Sequence, residues 1–234
     1  MKLGVICEGP TDFHVLKHTI QAYFNPIQIR DIQPPLDAQQ TNIAIDAWGG
    51  WEKVSEYLKS EDFLILLENM DYVVIQIDTD VCEHRNFNVS PISLANTDHN
   101  LFYELIKQKL LEWIDSAGVP LNKKKAKRFI HYQKLKNRKI STEYIHKIIF
   151  AISVHSLECW LLAYHDTRPR SCKITGCENA LSRYFTTVRK TINKNAKDYI
   201  QHSLDFKDAR NHARISTKSE SFKLFVDQLA AISA

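Results

Sequence analysis

The sequence lacks any long hydrophobic run: none approaches the roughly 18 consecutive apolar residues that a membrane-spanning helix needs. Near its start, the charged Glu8 stands where a signal peptide would keep its apolar stretch. There is no Cys-x-x-Cys pair, and the five cysteines are odd in number, so neither a disulfide framework nor a zinc ribbon is indicated. These absences predict a cytoplasmic protein in a reducing compartment, with no membrane partner.

The remaining composition is that of an ordinary globular protein. The chain has 234 residues, of which 44% are hydrophobic and 25% are charged. This length is sufficient to bury a sizeable core in one domain, or in one domain with an appendage. Because internal repeats and low-complexity segments are also absent from the sequence, a disordered chain and a fibrous protein are excluded.

The formal net charge of +4 is distributed unevenly along the chain. Residues 1–100 carry six Lys and Arg against 15 Asp and Glu, a charge of −9, whereas residues 101–234 carry 25 against 12, a charge of +13. Such asymmetry favours a polyanionic partner for the basic half and a cation site in the acidic half. Two solvated faces that neutralise each other are the alternative interpretation.

Short apolar runs alternate with stretches of helical periodicity. The runs predict strands at residues 3–7, 27–32, 72–77 and 148–154. The periodic stretches predict helices at residues 11–24, 51–69, 101–118 and 157–164, with Thr11 as the N-cap of the first. This alternation predicts an α/β fold with a mostly parallel, Rossmann-like sheet flanked by helices.

The composition changes after Asp166, where the chain becomes basic and mostly helical in its periodicity. We therefore predict an α/β domain at residues 1–167 and a basic helical C-terminal extension at residues 168–234 that packs on it.

Acidic residues follow three of the predicted strands at the point where each strand ends. Glu8 follows the first strand, Asp78 and Asp80 follow the third, and Glu158 follows the last. Ligands of open α/β sheets bind outside the carboxyl ends of the strands, so these acids are expected to converge. Clustered carboxylates repel one another and are the ligands that Mg²⁺ prefers. The sequence therefore predicts a site for Mg²⁺ or Mn²⁺.

Each acid also has a plainer interpretation when taken alone. Glu8 could stabilise a helix dipole, Asp78 and Asp80 could form a solvated turn, and Glu158 could be a surface acid at the start of a helix. Their shared placement at one sheet edge favours the metal site.

Several of these segments resemble a known family. Val-Ile-Cys-Glu-Gly-Pro-Thr-Asp at 5–12 and Asp-Thr-Asp at 78–80 resemble the Toprim domain shared by topoisomerases, bacterial primases and several nucleases. Ser-Val-His-Ser-Leu-Glu-Cys-Trp-Leu-Leu-Ala at 153–163 is similar to the Glu-containing segment of compact Toprim-like proteins of phage-defence and mobile-element systems, relatives of the overcoming-lysogenization-defect nucleases. The resemblance covers roughly residues 1–167, and Ser-Glu-Ser-Phe-Lys-Leu-Phe at 219–225 also looks like the end of that compact group.

The resemblance implies a Toprim-like fold and a nuclease that depends on Mg²⁺ or Mn²⁺. It makes Glu8 a metal ligand or general acid–base group, makes Asp78 and Asp80 Mg²⁺ ligands, and gives Glu158 a second metal position. Two cations roughly 4 Å apart stabilise the attacking and leaving oxygens of phosphodiester hydrolysis. Asp12 would support these ligands. The chain lacks an evident tyrosine-bearing cleavage domain and a zinc module, which argues against topoisomerase and primase activity.

Basic residues are dense between residues 122 and 147 and predict a surface that contacts nucleic-acid phosphates, with DNA favoured over RNA. Such contacts give affinity without sequence information. A solvated loop is the alternative. The residues are Lys123, Lys124, Lys125, Lys127, Arg128, Lys134, Lys136, Arg138 and Lys139.

Three further residues are candidates for an auxiliary role. His155 could contact phosphate or relay a proton, since it lies three residues before Glu158. Lys190 and Lys194, four residues apart on a predicted tail helix, could stabilise charge in the transition state.

Other histidines and cysteines have simpler explanations. The pair at His14 and His18 has a spacing that could chelate a metal, but surface or half-buried histidines are the favoured interpretation. Cys7, Cys82 and Cys159 flank the proposed ligands and are expected to be small buried residues.

Two other functions stay open from the sequence. One is a non-catalytic Toprim-fold scaffold subunit that acts with a partner ATPase or reverse transcriptase, because the compact relatives implied by the resemblance travel with other proteins. The other is nucleotidyl transfer on small nucleotides.

Overall fold

The computed structural model describes residues 1–45, 47–89, 91–117, 139–168 and 175–233. In these residues, parallel strands form one four-stranded sheet in the order β2-β1-β3-β4. The strands are β1 at Lys2–Ile6, β2 at Gln28–Gln33, β3 at Tyr72–Asp78 and β4 at Ile148–Ser153. The predicted α/β class with a parallel, Rossmann-like sheet is confirmed.

Helices connect and follow these strands. They are α1 at Pro10–Gln21, α2 at Trp51–Leu58, α3 at Glu61–Asn69, α4 at Leu94–Thr97, α5 at His99–Asp115, α6 at Ile140–Tyr144, α7 at Glu158–His165, α8 at Cys177–Thr187, α9 at Ala196–His202, α10 at His212–Ser216 and α11 at Glu220–Ser233. No helix in the described ranges combines the length and the apolar character that crossing a membrane would require.

β1, β3 and β4 are nearly continuous apolar runs because both faces of the sheet are buried there, whereas the edge strand β2 is largely polar and partly exposed. Val74 of β3 joins an apolar cluster with α1, α7 and the tail helices. Its neighbours Val73 and Ile75 join a second cluster with α2, α3 and α5. The alternation of side chains along each strand thus supplies two cores, one on each face.

The tail contributes to the first of these cores. The rings of Trp160 in α7 and Phe225 in α11 stack with centroids 5.6 Å apart. The Gln228 amide bonds the Phe150 backbone of β4 on both sides: its Nε2 donates to the carbonyl and its Oε1 accepts from the N–H, each at 2.9 Å. The division at residue 167 stays a prediction, and one apolar cluster contains residues from both sides of it.

Three predicted local features are wrong. The helix predicted over residues 51–69 is interrupted at Ser60, whose backbone is extended and precedes the new acidic first turn of α3. Helix α1 begins at Pro10 with Gly9 as N-cap, in place of the predicted cap Thr11, because the fixed φ of proline suits the first helical position.

The third error concerns two lysines. Lys190 and Lys194 lie between α8 and α9 and not on a helix, because α8 ends at Thr187 and Arg189 adopts a left-handed φ of 56°. The side chain of Asn195 then caps α9 by accepting from the Asp198 N–H.

A disulfide joins Cys159 in α7 to Cys177 in α8. The spacing pattern did not indicate this pair, and Cys159 was expected as a small buried thiol. The two residues are 18 positions apart, and only the packing of α7 on α8 brings their Cα atoms to 5.1 Å. The expectation of a reducing compartment thereby loses one of its arguments. Cys7 and Cys82 are buried thiols, as expected.

Candidate functional site

The predicted acids lie at the carboxyl-terminal edge of the sheet and are linked by hydrogen bonds. Glu8 follows β1, and its Oε1 accepts from the backbone N–H of Asp78 at the end of β3, at 2.8 Å. Asp78 Oδ1 accepts from the N–H of Leu157, at 3.1 Å, where α7 begins. Glu158 is the first residue of α7 and is 2% exposed. The structure therefore brings the ends of three strands together at one place.

Burial and mutual repulsion raise the pKa of most of these carboxyl groups. Burial raises the pKa of Glu8 to about 7, and the Asp80 charge adds to the effect. The pKa of Asp78 lies well above its usual range because the group is buried and faces Glu8 and Asp12. Burial also raises the pKa of Asp12, with Glu8 and Glu158 contributing, and that of Asp80. Such a cluster holds either protons or a cation near neutral pH.

Glu158 is the exception, because the tail supplies its partners. Burial alone would raise its pKa, but the Lys194 ammonium and the Tyr199 hydroxyl outweigh burial and lower it. Tyr199 donates to Glu158 Oε1 at 2.5 Å, and Lys194 Nζ lies 3.7 Å from the same oxygen. Lys194 Nζ is also 3.3 Å from Glu178 Oε2, and these two acids raise the lysine pKa although its partial burial opposes them. Glu158 is therefore ionised and holds a cationic side chain at the site.

A cavity of about 580 Å³ opens at this edge of the sheet. Glu8, Asp12 and Asp78 line it, together with Lys194 and residues 41–43 of the segment that follows β2. Its volume falls in the range of sites that bind small ligands, and a nucleotide is such a ligand. The cavity thus presents carboxylates and one ammonium group to the same ligand.

The backbone of the segment between β2 and α2 lies against the backbone of Glu8. The Gly50 N–H donates to the Glu8 carbonyl at 2.7 Å. A Cβ atom at Gly49 would lie only 2.4 Å from that same oxygen, so glycine is required there. The sequence pattern did not indicate this contact.

We expect Gly49→Ala to lower the melting temperature by several degrees, because the added methyl group meets backbone. Overpacking of this kind costs about 1–3 kcal/mol, and each kcal/mol corresponds to about 2–4 °C in a chain of this size. Thermal unfolding followed by circular dichroism measures the change. Gly9→Ala is the control, since its backbone is extended and its nearest heavy atom would be 3.5 Å away. Equal melting temperatures of the two variants would contradict the contact.

The backbone of His155, which follows β4, is hydrogen-bonded to residues that follow β3. Its carbonyl accepts from the N–H groups of Thr79 and Asp80, and its N–H donates to Thr79 Oγ1 at 2.8 Å. The residue has a left-handed φ of 65°, and its imidazole is buried, which lowers its pKa and keeps it neutral. These contacts indicate a positioning role, and the phosphate contact or proton relay predicted for it stays a prediction.

The histidine pair on α1 is engaged in packing. His14 Nε2 is 2.7 Å from the carbonyl oxygen of Gln40, and His18 Nδ1 is 2.9 Å from Ser203 Oγ. Both residues are 4% exposed and thus more deeply buried than the surface or half-buried histidines expected from the sequence.

Two residues of the site were missed by the sequence interpretation. Tyr199 comes from α9, 41 positions after its partner Glu158, and no local pattern marks it. Gln76 is fully buried in β3, where its Nε2 donates to Asp78 Oδ1 and its Oε1 accepts from the Glu8 N–H. A glutamine within the apolar run of β3 was an available signal, because a buried amide needs partners.

The predicted basic surface lies almost wholly outside the described residues. Only Lys139 is described, at the N-cap of α6. Lys190 lies in the same segment as Lys194 but does not line the cavity. The others fall within residues 118–138: Lys123, Lys124, Lys125, Lys127, Arg128, Lys134, Lys136 and Arg138.

The donor chemistry of the cluster fits a hard divalent cation, because every candidate ligand is a carboxylate and most have raised pKa values. As the side chains stand, no group of three or more His, Cys, Asp or Glu residues in the described part of the chain is arranged to hold a metal ion.

No protein-family model matches this chain, and neither the curated proteins nor the solved structures gave a match. The Toprim resemblance consequently depends on the sequence motifs quoted above.

Proposed function

We propose that this protein is a metal-dependent nuclease that hydrolyses phosphodiester bonds. The observation that supports this most is the group of carboxyls at the sheet edge, four of which, from the buried Asp12 to the exposed Asp80, have raised pKa values. Burying like charges costs free energy unless a cation or protons neutralise them. A site built in this way serves a bound divalent cation better than it serves the stability of the chain.

The proposed roles follow from the contacts. Glu8, Asp78 and Asp80 would hold Mg²⁺ or Mn²⁺, and the cation would supply Lewis-acid activation of the phosphoryl group. Asp12 would be an outer acid of the cluster, since it is buried and feels the like charges of Glu8 and Glu158. Glu158, bound to Tyr199 and Lys194, is closer in the structure to a positioning acid than to a free ligand, although a second metal position stays part of the proposal.

Lys194 is placed to meet the negative charge that grows on a phosphate during hydrolysis. It lines the cavity, and Glu158 and Glu178 hold its ammonium group in its charged state. A preorganised cation in a partly buried site stabilises such charge more than a solvated one does.

The proposed substrate is nucleic acid, with DNA favoured over RNA, and a role in phage defence or mobile-element biology follows from the family resemblance. The basic half of the chain supports a polyanionic substrate. A second candidate, nucleotidyl transfer on small nucleotides, is favoured by the cavity, whose volume of about 580 Å³ suits one nucleotide.

The test is incubation of the purified chain with plasmid, linear and single-stranded DNA and with RNA, in Mg²⁺, in Mn²⁺ and in EDTA. We expect strand cleavage with either cation and none in EDTA, because the carboxylates need a cation to bind phosphate. Chromatography of nucleotide products separates nucleotidyl transfer from hydrolysis. Cleavage that persists in EDTA or in Asp78→Ala would falsify the metal site. Absence of any reaction, together with binding of an ATPase or reverse transcriptase, would favour the scaffold function.

A further inference from the structure

An exposed tryptophan lies beside the acidic cavity. The side chain of Trp48 is 73% exposed, whereas Trp113 and Trp160 are almost fully buried. Trp51 is half-buried and packs against Phe87, with ring centroids 5.6 Å apart. Trp48 is therefore the tryptophan that core packing does not explain.

The backbone of Trp48 is fixed to the residues that build the site. Its carbonyl accepts from Gln33 Nε2 at 2.9 Å, at the end of β2. The next two residues, Gly49 and Gly50, lie against the carbonyl of Glu8. The indole is thus carried by a segment anchored at both sides to strand ends of the candidate site, and not by a free loop.

Two isoleucines precede this tryptophan in the chain. Ile43 lines the cavity, and Ile45 is 94% exposed two positions further along. A ligand whose charged part lies among the carboxylates and the ammonium group would meet the apolar Ile43 in the same cavity, which Gly50, two residues after Trp48, also lines. Nucleotides have this combination of a charged phosphate and a flat ring that stacks on aromatic side chains.

We propose that Trp48 is a stacking platform for an unpaired nucleobase of a single strand whose backbone enters the acidic cavity. This inference rests on the proposed function, and it narrows the substrate class to single-stranded nucleic acid or to single-stranded ends. Stacking on one ring needs only the area of one side chain. A specific protein interface needs about 1,000 Å² or more, which a single indole with Ile45 does not provide.

The test measures binding of a fluorescein-labelled 12-nucleotide oligothymidylate and of a blunt duplex by anisotropy, in Mg²⁺. Phosphorothioate linkages in the labelled strands slow cleavage and leave every proposed metal ligand of the protein in place. Trp48→Ala is expected to weaken single-strand binding about 5- to 150-fold, the loss that one stacked base represents, and to affect the duplex much less. Trp48→Phe keeps an aromatic face and stays within a few-fold of the parent protein.

Two controls accompany these variants. Ile65→Ala removes another exposed apolar side chain, 53% exposed on α3, and is expected to leave binding unchanged. Oligothymidylate is expected to quench tryptophan fluorescence of the parent, and Trp48→Phe removes that signal because two of the other tryptophans are almost fully buried and the third is packed. Unchanged melting temperatures check that the variants fold.

Several outcomes would overturn the platform. Single-strand affinity of Trp48→Ala equal to that of the parent is one of them. A dimer of the parent in sedimentation that Trp48→Ala dissolves, with DNA affinity unchanged, would identify an interface between two copies. The experiment distinguishes failure of the stacking hypothesis from failure of the proposed function. If binding depends on Trp48 but the wild-type chain does not cleave, the nuclease hypothesis is contradicted and the stacking role of Trp48 stands. If cleavage depends on the metal but binding does not depend on Trp48, the stacking role is contradicted and the nuclease hypothesis stands.

Discussion

We expect Asp78→Asn to abolish metal-dependent hydrolysis and, at the same time, to raise the melting temperature of the metal-free protein. The carboxylate is proposed to hold the cation, and its loss leaves a site without an essential ligand. Asparagine keeps the Oδ1 acceptor used by Leu157 and Gln76. At a pH at which the carboxyls are ionised, it removes one of several clustered like charges, so the free energy of unfolding rises. Even about 1 kcal/mol corresponds to about 2–4 °C in a chain of this size.

The gain in melting temperature expected for Asp78→Asn increases with pH. The pKa of Glu8 in the folded protein is about 7, above its usual 4.5, so its contribution to stability is full at low pH and is lost as pH rises through 7. Removing the Asp78 charge relieves this loss. Buried histidines act oppositely: burial lowers the pKa of His18 and of His165 to about 4, so their contribution rises with pH up to about 6.5. The informative quantity is therefore the difference between variant and parent, which cancels the histidines.

Differential scanning calorimetry of both proteins in EDTA, between pH 5.5 and pH 8, measures this difference. It is expected to be small at pH 5.5 and largest at pH 8, and added Mg²⁺ is expected to stabilise the parent more than the variant. Asp62→Asn, an exposed acid in the first turn of α3, is the matched control and should change neither activity nor stability. A variant that hydrolyses normally, or one that melts below the parent at pH 8, contradicts the assignment.

Lys194→Ala is expected to lower kcat/KM for hydrolysis about 10²- to 10³-fold, the usual effect of removing one preorganised group that meets transition-state charge. Although the lysine side chain is 58% exposed, its loss leaves the buried Glu158 carboxylate without this cationic partner, so the melting temperature of the variant is measured beside its kinetics. The loss should fall mainly on kcat if the ammonium acts on charge that develops during the reaction.

Two nearby lysines provide matched controls for this variant. Lys190 lies in the same segment and Lys197 is in α9, and neither lines the cavity. Steady-state kinetics of the three alanine variants show whether the effect is specific to Lys194. If all three lose activity equally, the effect is bulk electrostatic attraction, and if Lys194→Ala stays within about threefold of the parent, the lysine has no catalytic part.

The sheet and the convergence of acids could be predicted from the sequence for a common reason. Runs such as residues 72–77 are apolar because both faces of a parallel sheet are buried, which marks the strand without knowledge of its neighbours. Parallel strands end at one edge, so Glu8, Asp78 and Glu158 were expected together before any distance was known. The local sequence pattern was therefore sufficient to predict both the strands and the convergence of these acids.

The partners of Glu158 could not be found in that way. Tyr199 and Lys194 reach it only because the tail packs on α1 and α7, and contacts over such separations depend on tertiary structure. The disulfide between Cys159 and Cys177 has the same origin. The interruption at Ser60 was hidden for another reason, since the apolar periodicity continues across two helices that pack on the same core.

The double hydrogen bond from Gln228 to Phe150 has a consequence for solubility. β4 is the last strand of the sheet order, and an uncovered edge strand offers its backbone groups to any other extended chain. All six residues of β4 are buried, so an exposed edge here would also be strongly apolar. Gln228 occupies the N–H and the carbonyl of its third residue, and α11 lies over the strand. The helix that completes the core thus also prevents edge-to-edge aggregation.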